Sequence, residues 1–316
     1  MRLPQLACCT LLGILPLCVL PELPALSVTK MAIPGLMLLM FAGRAGRVAC
    51  LVGLFFCWGV LAAWQVVLPA ETLPGKNRHV EVVLTQTDGQ TLHRGAITHL
   101  DGRLYFPRTE ITLYASYLPQ PPCIGQRWRM TVRMRAVHGE LNEGGFDAQR
   151  YALSLNRPLT GRIIAAEPMD TRCSLRGRFL TSLQTSLAGF PWRDVMLALG
   201  MGERLSVAPE IKKLMQQTGT SHLMAISGLH IGFGALLGWL FIRGIQFFLP
   251  CRFINWRLPV IVALCAGLAY AMLTGMQPPA LRTVAAAAIC YALRQSGRQW
   301  SCLLYTSDAA DDMQCV

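Results

Sequence analysis

Charge is scarce in this sequence. Asp, Glu, Lys and Arg make up 15% of its 316 residues and hydrophobic residues 53%, where a soluble domain carries about 25% charged residues. One soluble globule is excluded, because too little polar surface remains to cover it. Acids are the rarer sign. Seventeen of them against 29 Lys and Arg leave a formal net charge of +12, which favours anionic partners, either lipid headgroups or nucleic acid. No Cys-x-x-Cys and no Cys/His spacing of a metal site occurs, so neither a metal nor another cofactor is expected. A Gly-x-x-x-x-Gly-Lys-Ser/Thr phosphate loop is missing too, and so is a Gly-x-Ser-x-Gly nucleophile elbow, which argues against a built-in nucleotide motor and against an esterase-type enzyme. The apolar content excludes disorder, and the cysteines are too dilute for a disulfide-scaffold toxin.

What is present is a set of long apolar runs on either side of a polar middle. Residues 1–20 carry only Arg2 and close on Pro21, Glu22 and Pro24; residues 25–42 are interrupted by Lys30; residues 48–68 hold no charge. The third run has the ~20 residues a bilayer crossing needs. The first reads either as a membrane helix or as a cleaved signal sequence. Three further runs follow at 223–242, 258–274 and 280–293. Arg44 and Arg47 place the loop before the third run on the cytoplasmic side. Arg243, Arg252 and Arg257, and then Arg294 and Arg298, fall on that same side. Lys30 dissents, but near a helix end it can snorkel. Residues 69–221 are therefore expected outside.

From residue 80 to 163 the pattern switches to period two, with Asp88-Gly89 and Asp101-Gly102 as hairpin signals. The clearest strand is 127–137. Trp128, Met130, Val132, Met134 and Ala136 alternate with Arg127, Arg129, Thr131, Arg133 and Arg135, so one face is buried and the other wet. A small β-barrel, OB-like among the candidates, is expected. Arginines recurring every ~7 Å along a strand could track a phosphate backbone, with Tyr105, Phe106, Tyr114 and Tyr117 as stacking platforms. The plainer reading is a solvated basic face over a barrel filled by aromatics. Cys123 and Cys173 are the two cysteines of this outer stretch and are expected to pair in an oxidising compartment.

Four motifs remain. Asn142-Glu-Gly-Gly-Phe-Asp147 reads as a Gly-Gly turn with Asp147 capping a helix. Gly200-Met-Gly-Glu-Arg204 precedes an amphipathic helix at 209–217. Then come His222-Leu-Met-Ala-Ile-Ser-Gly-Leu-His230 and, after it, Pro278-Pro-Ala-Leu-Arg282 between two apolar runs. In these residues and their order the chain resembles the ComEC family, the inner-membrane channel of bacterial natural transformation. The resemblance runs to about Trp300. It implies a polytopic α-helical membrane protein with a periplasmic OB-like β domain, multi-pass in the bacterial inner membrane, moving single-stranded DNA towards the cytoplasm. The segments expected are N-terminal membrane helices at 1–68, the β domain at 69–173, interfacial helices at 174–222, the start of the competence domain at 223–300, and a tail at 301–316 that resembles a translated sequencing adapter. Family members usually continue to a metallo-β-lactamase-like nuclease domain. Its metal signature does not occur here, so a front fragment without enzyme activity is expected.

The partners implied are single-stranded DNA and the lipid bilayer, with a periplasmic DNA receptor, a cytoplasmic motor protein and a second copy of the chain as further candidates. His222, Ser227 and His230 are expected to line the mouth of a pore. Gly228 would permit close helix approach, Pro278 and Pro279 would break a helix at membrane depth, and Arg282 would meet phosphate. Arg127, Arg129, Arg133 and Arg135 are the DNA-contact candidates outside. Against these stand snorkelling for Arg282 and interhelical hydrogen bonding for the histidines. A Ser227–His230 hydrolase finds no nearby acid to orient the imidazole. A small-solute transporter or membrane-embedded enzyme is the alternative function, and a signalling or scaffold membrane protein is a third.

Overall fold

A computed structural model describes residues 3–115, 118–139, 145–250 and 255–295. Arg2, Tyr117, Asn142 with the two residues after it, Arg252, Arg298, Trp300 and the 301–316 tail, all named above, lie outside the described residues. Two compact units form, Met1–Cys173 and Ser174–Val316.

The first unit begins with helices α1 (Leu3–Ile14), α2 (Leu26–Leu38) and α3 (Gly43–Thr72). Helix α3 has 30 residues and is apolar enough to cross a membrane; at 1.5 Å per residue it rises about 45 Å. The other two fall short of the expected crossings. A 3-10 turn at Leu15–Cys18, holding Pro16, ends α1 after 12 residues, and α2 has 13 with Pro34 inside it. Proline removes a helix donor and crowds the preceding turn, a cost the hydropathy pattern does not register. Both short helices pack against α3, and the Trp64 indole donates to the Pro24 carbonyl at 2.8 Å.

Six strands follow: β1 (Asn77–Thr87), β2 (Leu92–Leu100), β3 (Arg103–Leu104), β4 (Glu110–Tyr114), β5 (Arg127–Ala136) and β6 (Leu159–Asp170). They form one mixed sheet in the order β1-β5-β6-β4-β2-β3, and β1 also pairs with β2. Only β4 and β6 run parallel. Both Asp-Gly pairs sit at hairpin turns, with Gly89 and Gly102 at φ +80°. Val80, Val82, Leu84, Ile97, Ile111, Leu113, Trp128, Met130, Val132, Met134 and Leu159 fill the core. Gly161 faces this core, where a Cβ would strike Val132, Ile111 and Leu113. A disulfide joins Cys123 to Cys173, with Cα atoms 5.6 Å apart. Gln126 braces that end, accepting from the Cys123 N–H and the Trp128 indole and donating to the Thr171 carbonyl. Helix α4 (Ala148–Ser154) lies between β5 and β6, capped by Asp147, whose carboxylate accepts from the Arg150 N–H at 2.8 Å.

The second unit holds α5 (Leu175–Ser186), α6 (Arg193–Met201), α7 (Pro209–Gln217), α8 (Gly228–Phe247), α9 (Arg257–Leu273) and α10 (Pro278–Gln295). By length and composition α8 is its candidate membrane span, so the described residues contain two such helices in all. Helix α9 stops at 17 residues, and Arg282 and Arg294 dilute α10. The apolar face of α7 is used internally: Ile211 and Met215 pack on Ala198, Val207 and Met224.

Candidate functional site

Three of the sequence motifs meet inside the second unit. The residue that gathers them is Glu203, whose side chain is 2% exposed. A charge so deep needs a partner, and Arg176 of α5, 11% exposed, places Nη2 3.4 Å from Glu203 Oε2. The same guanidinium donates from Nε to the Leu273 carbonyl at 2.9 Å, tying the turn between α9 and α10 to α5 and the end of α6. Burial pulls Arg176 below its ordinary value, and Glu203 pulls it back up. Next along the chain, Arg204 Nε donates to the Met224 carbonyl at 2.7 Å, and the Tyr270 hydroxyl donates to the Gly200 carbonyl at 2.8 Å.

Backbone shape makes this possible. Gly202 ends α6 in the left-handed region at φ +69°, where a Cβ would lie 2.9 Å from Ile226 and 3.0 Å from the Gln277 amide. So 200–204 is clasped between 222–226 on one side and 273–277 on the other. In the sequence Glu203 and Arg204 stand out only as the lead-in to a helix, and Arg176 carries no motif of its own.

The expected pore residues are placed by this clasp. His222 sits in a 3-10 turn, Thr220–Met224, with Nδ1 2.8 Å from the Gly219 carbonyl. His230 lies in the first turn of α8. Extended backbone at 225–227 separates them, so they do not share one helical face. Ser227 and His230 form a capping box: the Ser227 N–H donates to His230 Nδ1 at 3.4 Å, and the hydroxyl lies 3.0 Å from the same nitrogen. In the other arm of the box the Ser227 side chain accepts from the His230 backbone N–H. Two orphan helix-end groups are thereby satisfied, which accounts for the pair without chemistry. Gly228 faces Thr283, whose Oγ1 would lie 2.5 Å from a Cβ at that position. Pro278 and Pro279 open α10 rather than interrupt a helix, a place where the missing N–H costs nothing. Arg282 is exposed at the start of α10, with no ion pair among the described residues.

In the first unit the arginines of β5 face outward, as alternation dictates. Their surroundings differ along the strand. Arg127 is registered against Asp170, and Arg129 against Glu167 and Glu81, with Glu81 3.5 Å from its guanidinium. Arg133 is registered against Arg162 of β6, and Arg162 in turn against Tyr114 of β4. Arg135 stands opposite Thr160. Of the expected aromatics, Tyr105 packs against the core, and burial raises its phenol against a weaker opposing bond from Thr109. Phe106 is 84% exposed and Tyr114 50%. His93 is fully buried, with Nδ1 2.8 Å from Thr87 Oγ1; burial pushes it below its ordinary value, with Asp88 opposing.

Comparison with known proteins places these motifs in context. A family model described as "Competence protein" matches residues 199–308, the stretch that contains α8 to α10 and all of the clasp except Arg176. The chain is 50% identical over 302 residues to "Uncharacterized protein YcaI" of Escherichia coli, covering 95% of this chain and 40% of that protein. It is 32% identical over 207 residues to "Recombination protein 2" of Haemophilus influenzae, covering 66% and 26%. It is 31% identical over 232 residues to "Competence protein ComA" of Neisseria gonorrhoeae, covering 68% and 32%. The chain thus spans well under half the length of each of these relatives. No solved structure matches it.

Proposed function

Because the chain belongs to the ComEC family of competence proteins, we propose that it serves DNA uptake and forms part of an inner-membrane path along which single-stranded DNA enters the cytoplasm. The observation that carries this reading is the outward arginine face of β5: a run of cations on a rigid strand, in a family that handles a polyanion. In this reading the sheet lies on the periplasmic side as an OB-like barrel. Support comes from the pairing pattern, in which β1, β2, β4, β6 and β5 each join the next and β5 returns to β1. Helices α3 and α8 cross the bilayer and α9 returns through it, which keeps the start of α10 on the same side as 200–204, with the arginine-rich loops on the cytoplasmic side.

The clasp around Glu203 holds the His222 turn and the start of α10 in fixed relation. Arg282, exposed and unpaired among the described residues, then offers the strand a cation at the entrance to the membrane unit. A second cation on the way in lowers the cost of stripping water from phosphate. Movement takes its energy from another protein.

Two measurements test this. Arg282→Ala, introduced into the gene of a transformable cell, is expected to abolish DNA uptake while the protein still inserts; normal transformation removes Arg282 from the path. A reporter that is active only outside the cytoplasm, inserted at the exposed Asp88-Gly89 turn, is expected to be active. An inactive reporter in an inserted protein places the arginine face on the wrong side and ends the proposal.

A further inference from the structure

Like charges placed directly opposite each other on neighbouring strands destabilise a sheet. Arg133 and Arg162 are such a pair. Both are exposed, and neither has an ion pair among the described residues. The rest of the arginine face contrasts with them, since Arg127 and Arg129 have acids in register on the adjoining strands. The basic strand therefore has a neutralised end and a bare end. At the bare end the next residue across the sheet is Tyr114, half exposed, and it stands in register with Arg162. Burial alternation puts all three side chains on the same outer face: Leu113, Gly161, Val132 and Met134 turn into the core, and their neighbours turn out.

We propose that this cross-strand row, Tyr114–Arg162–Arg133 with Arg135 beside it, is a binding site for one nucleotide of a single strand. The phosphate lies between the two opposed guanidinium groups and the base stacks on the Tyr114 ring. Neighbouring strands are about 4.8 Å apart, so two arginines in register reach the same phosphate and an anion relieves their repulsion. An aromatic one strand further on meets the base attached to it. A duplex keeps its bases stacked on each other and cannot use the ring, so the site selects unpaired strands. The inference rests on the DNA reading above and narrows it: the contact runs across strands, at one end of the face, and includes Arg162, which the linear sequence does not single out.

The test uses the full chain in detergent micelles and fluorescence anisotropy of a labelled oligothymidine across a salt series. Because Arg133 and Arg162 share one phosphate, the double variant Arg133→Gln/Arg162→Gln is expected to lower the slope of log affinity against log salt by about 0.7, the value for one phosphate contact on a single strand, and each single variant by about half as much. Arg129→Gln, whose charge Glu81 already offsets, is expected to change it by less than half of that. Tyr114→Leu is expected to weaken binding at least about fivefold, Tyr114→Phe to restore it, and neither to affect an abasic strand of the same length. A circular-dichroism spectrum that matches the parent's checks that each variant is folded.

If Arg162→Gln leaves the slope unchanged, or Arg129→Gln changes it as much, the row is not the site, and the broader DNA reading survives. The stacking assignment is overturned by a Tyr114→Leu variant that binds like the parent or that loses the abasic strand equally. A parent chain that binds no oligonucleotide at low salt overturns both readings together.

Discussion

Replacing Glu203 by Leu removes the carboxylate of the buried pair and leaves the guanidinium in place. Arg176 keeps its bond to the Leu273 carbonyl but loses the carboxylate 3.4 Å away. It cannot escape by shedding its proton at neutral pH, so a cation that has lost its carboxylate remains at 11% exposure. Breaking a buried pair in this way costs about 3–5 kcal/mol, a large fraction of the stability of an ordinary domain. The double variant Arg176→Met/Glu203→Leu removes both charges and should recover most of that loss. What it leaves is the Leu273 carbonyl without its donor, about 1–3 kcal/mol. Equilibrium unfolding of the full chain in mixed micelles, followed for the parent, both single variants and the double, gives the coupling directly. A Glu203→Leu chain within about 1 kcal/mol of the parent refutes the reasoning, because the pair would then not be shielded from water.

Three other outcomes follow from the first unit and from the α8–α10 contact. His93 is held below the usual value near 6.5, so the unfolded chain takes up the proton first. Stability is then full above about pH 6.5 and falls as the pH drops towards the folded value; denaturant midpoints measured across that range should report this, and His93→Phe should flatten the profile over that window. Gly161→Val presses new atoms onto Val132, Ile111 and Leu113 and should destabilise the sheet by about 1–3 kcal/mol or more, read as a lower denaturant midpoint. Gly228→Leu drives a side chain into Thr283. It should separate α8 from α10, and a cysteine pair engineered across that contact should then crosslink far less efficiently.

Much of the sheet can be read from the chain because its signals are local. The alternation through Trp128 to Met134 sets which face of β5 is buried, and Asp88-Gly89 and Asp101-Gly102 supply the positive φ their turns need. The membrane helices are less legible. Apolar runs at 1–20 and 25–42 suggest full crossings, but Pro16 and Pro34 act on backbone geometry rather than on hydropathy. The clasp is the least legible part. Arg176 and Glu203 are 27 positions apart and Leu273 lies 97 positions from Arg176. Each charge, taken singly, looks like an ordinary surface residue. Strand register hides the Tyr114–Arg162–Arg133 row in the same way, because its members come from three strands and no window of sequence contains them all.

The parallel pairing of β6 with β4 has a consequence for synthesis. Strand β6 is the last to leave the ribosome, and it alone covers the remaining open edges of β4 and β5. Until residue 170 has emerged, both edges stay available to a neighbouring nascent chain. Cys173 arrives three residues later, so its thiol reaches Cys123 only once the strand that seals the sheet is already out. Oxidation thus becomes the final act of building this unit, and a chain interrupted within β6 would leave Cys123 free to join the wrong partner.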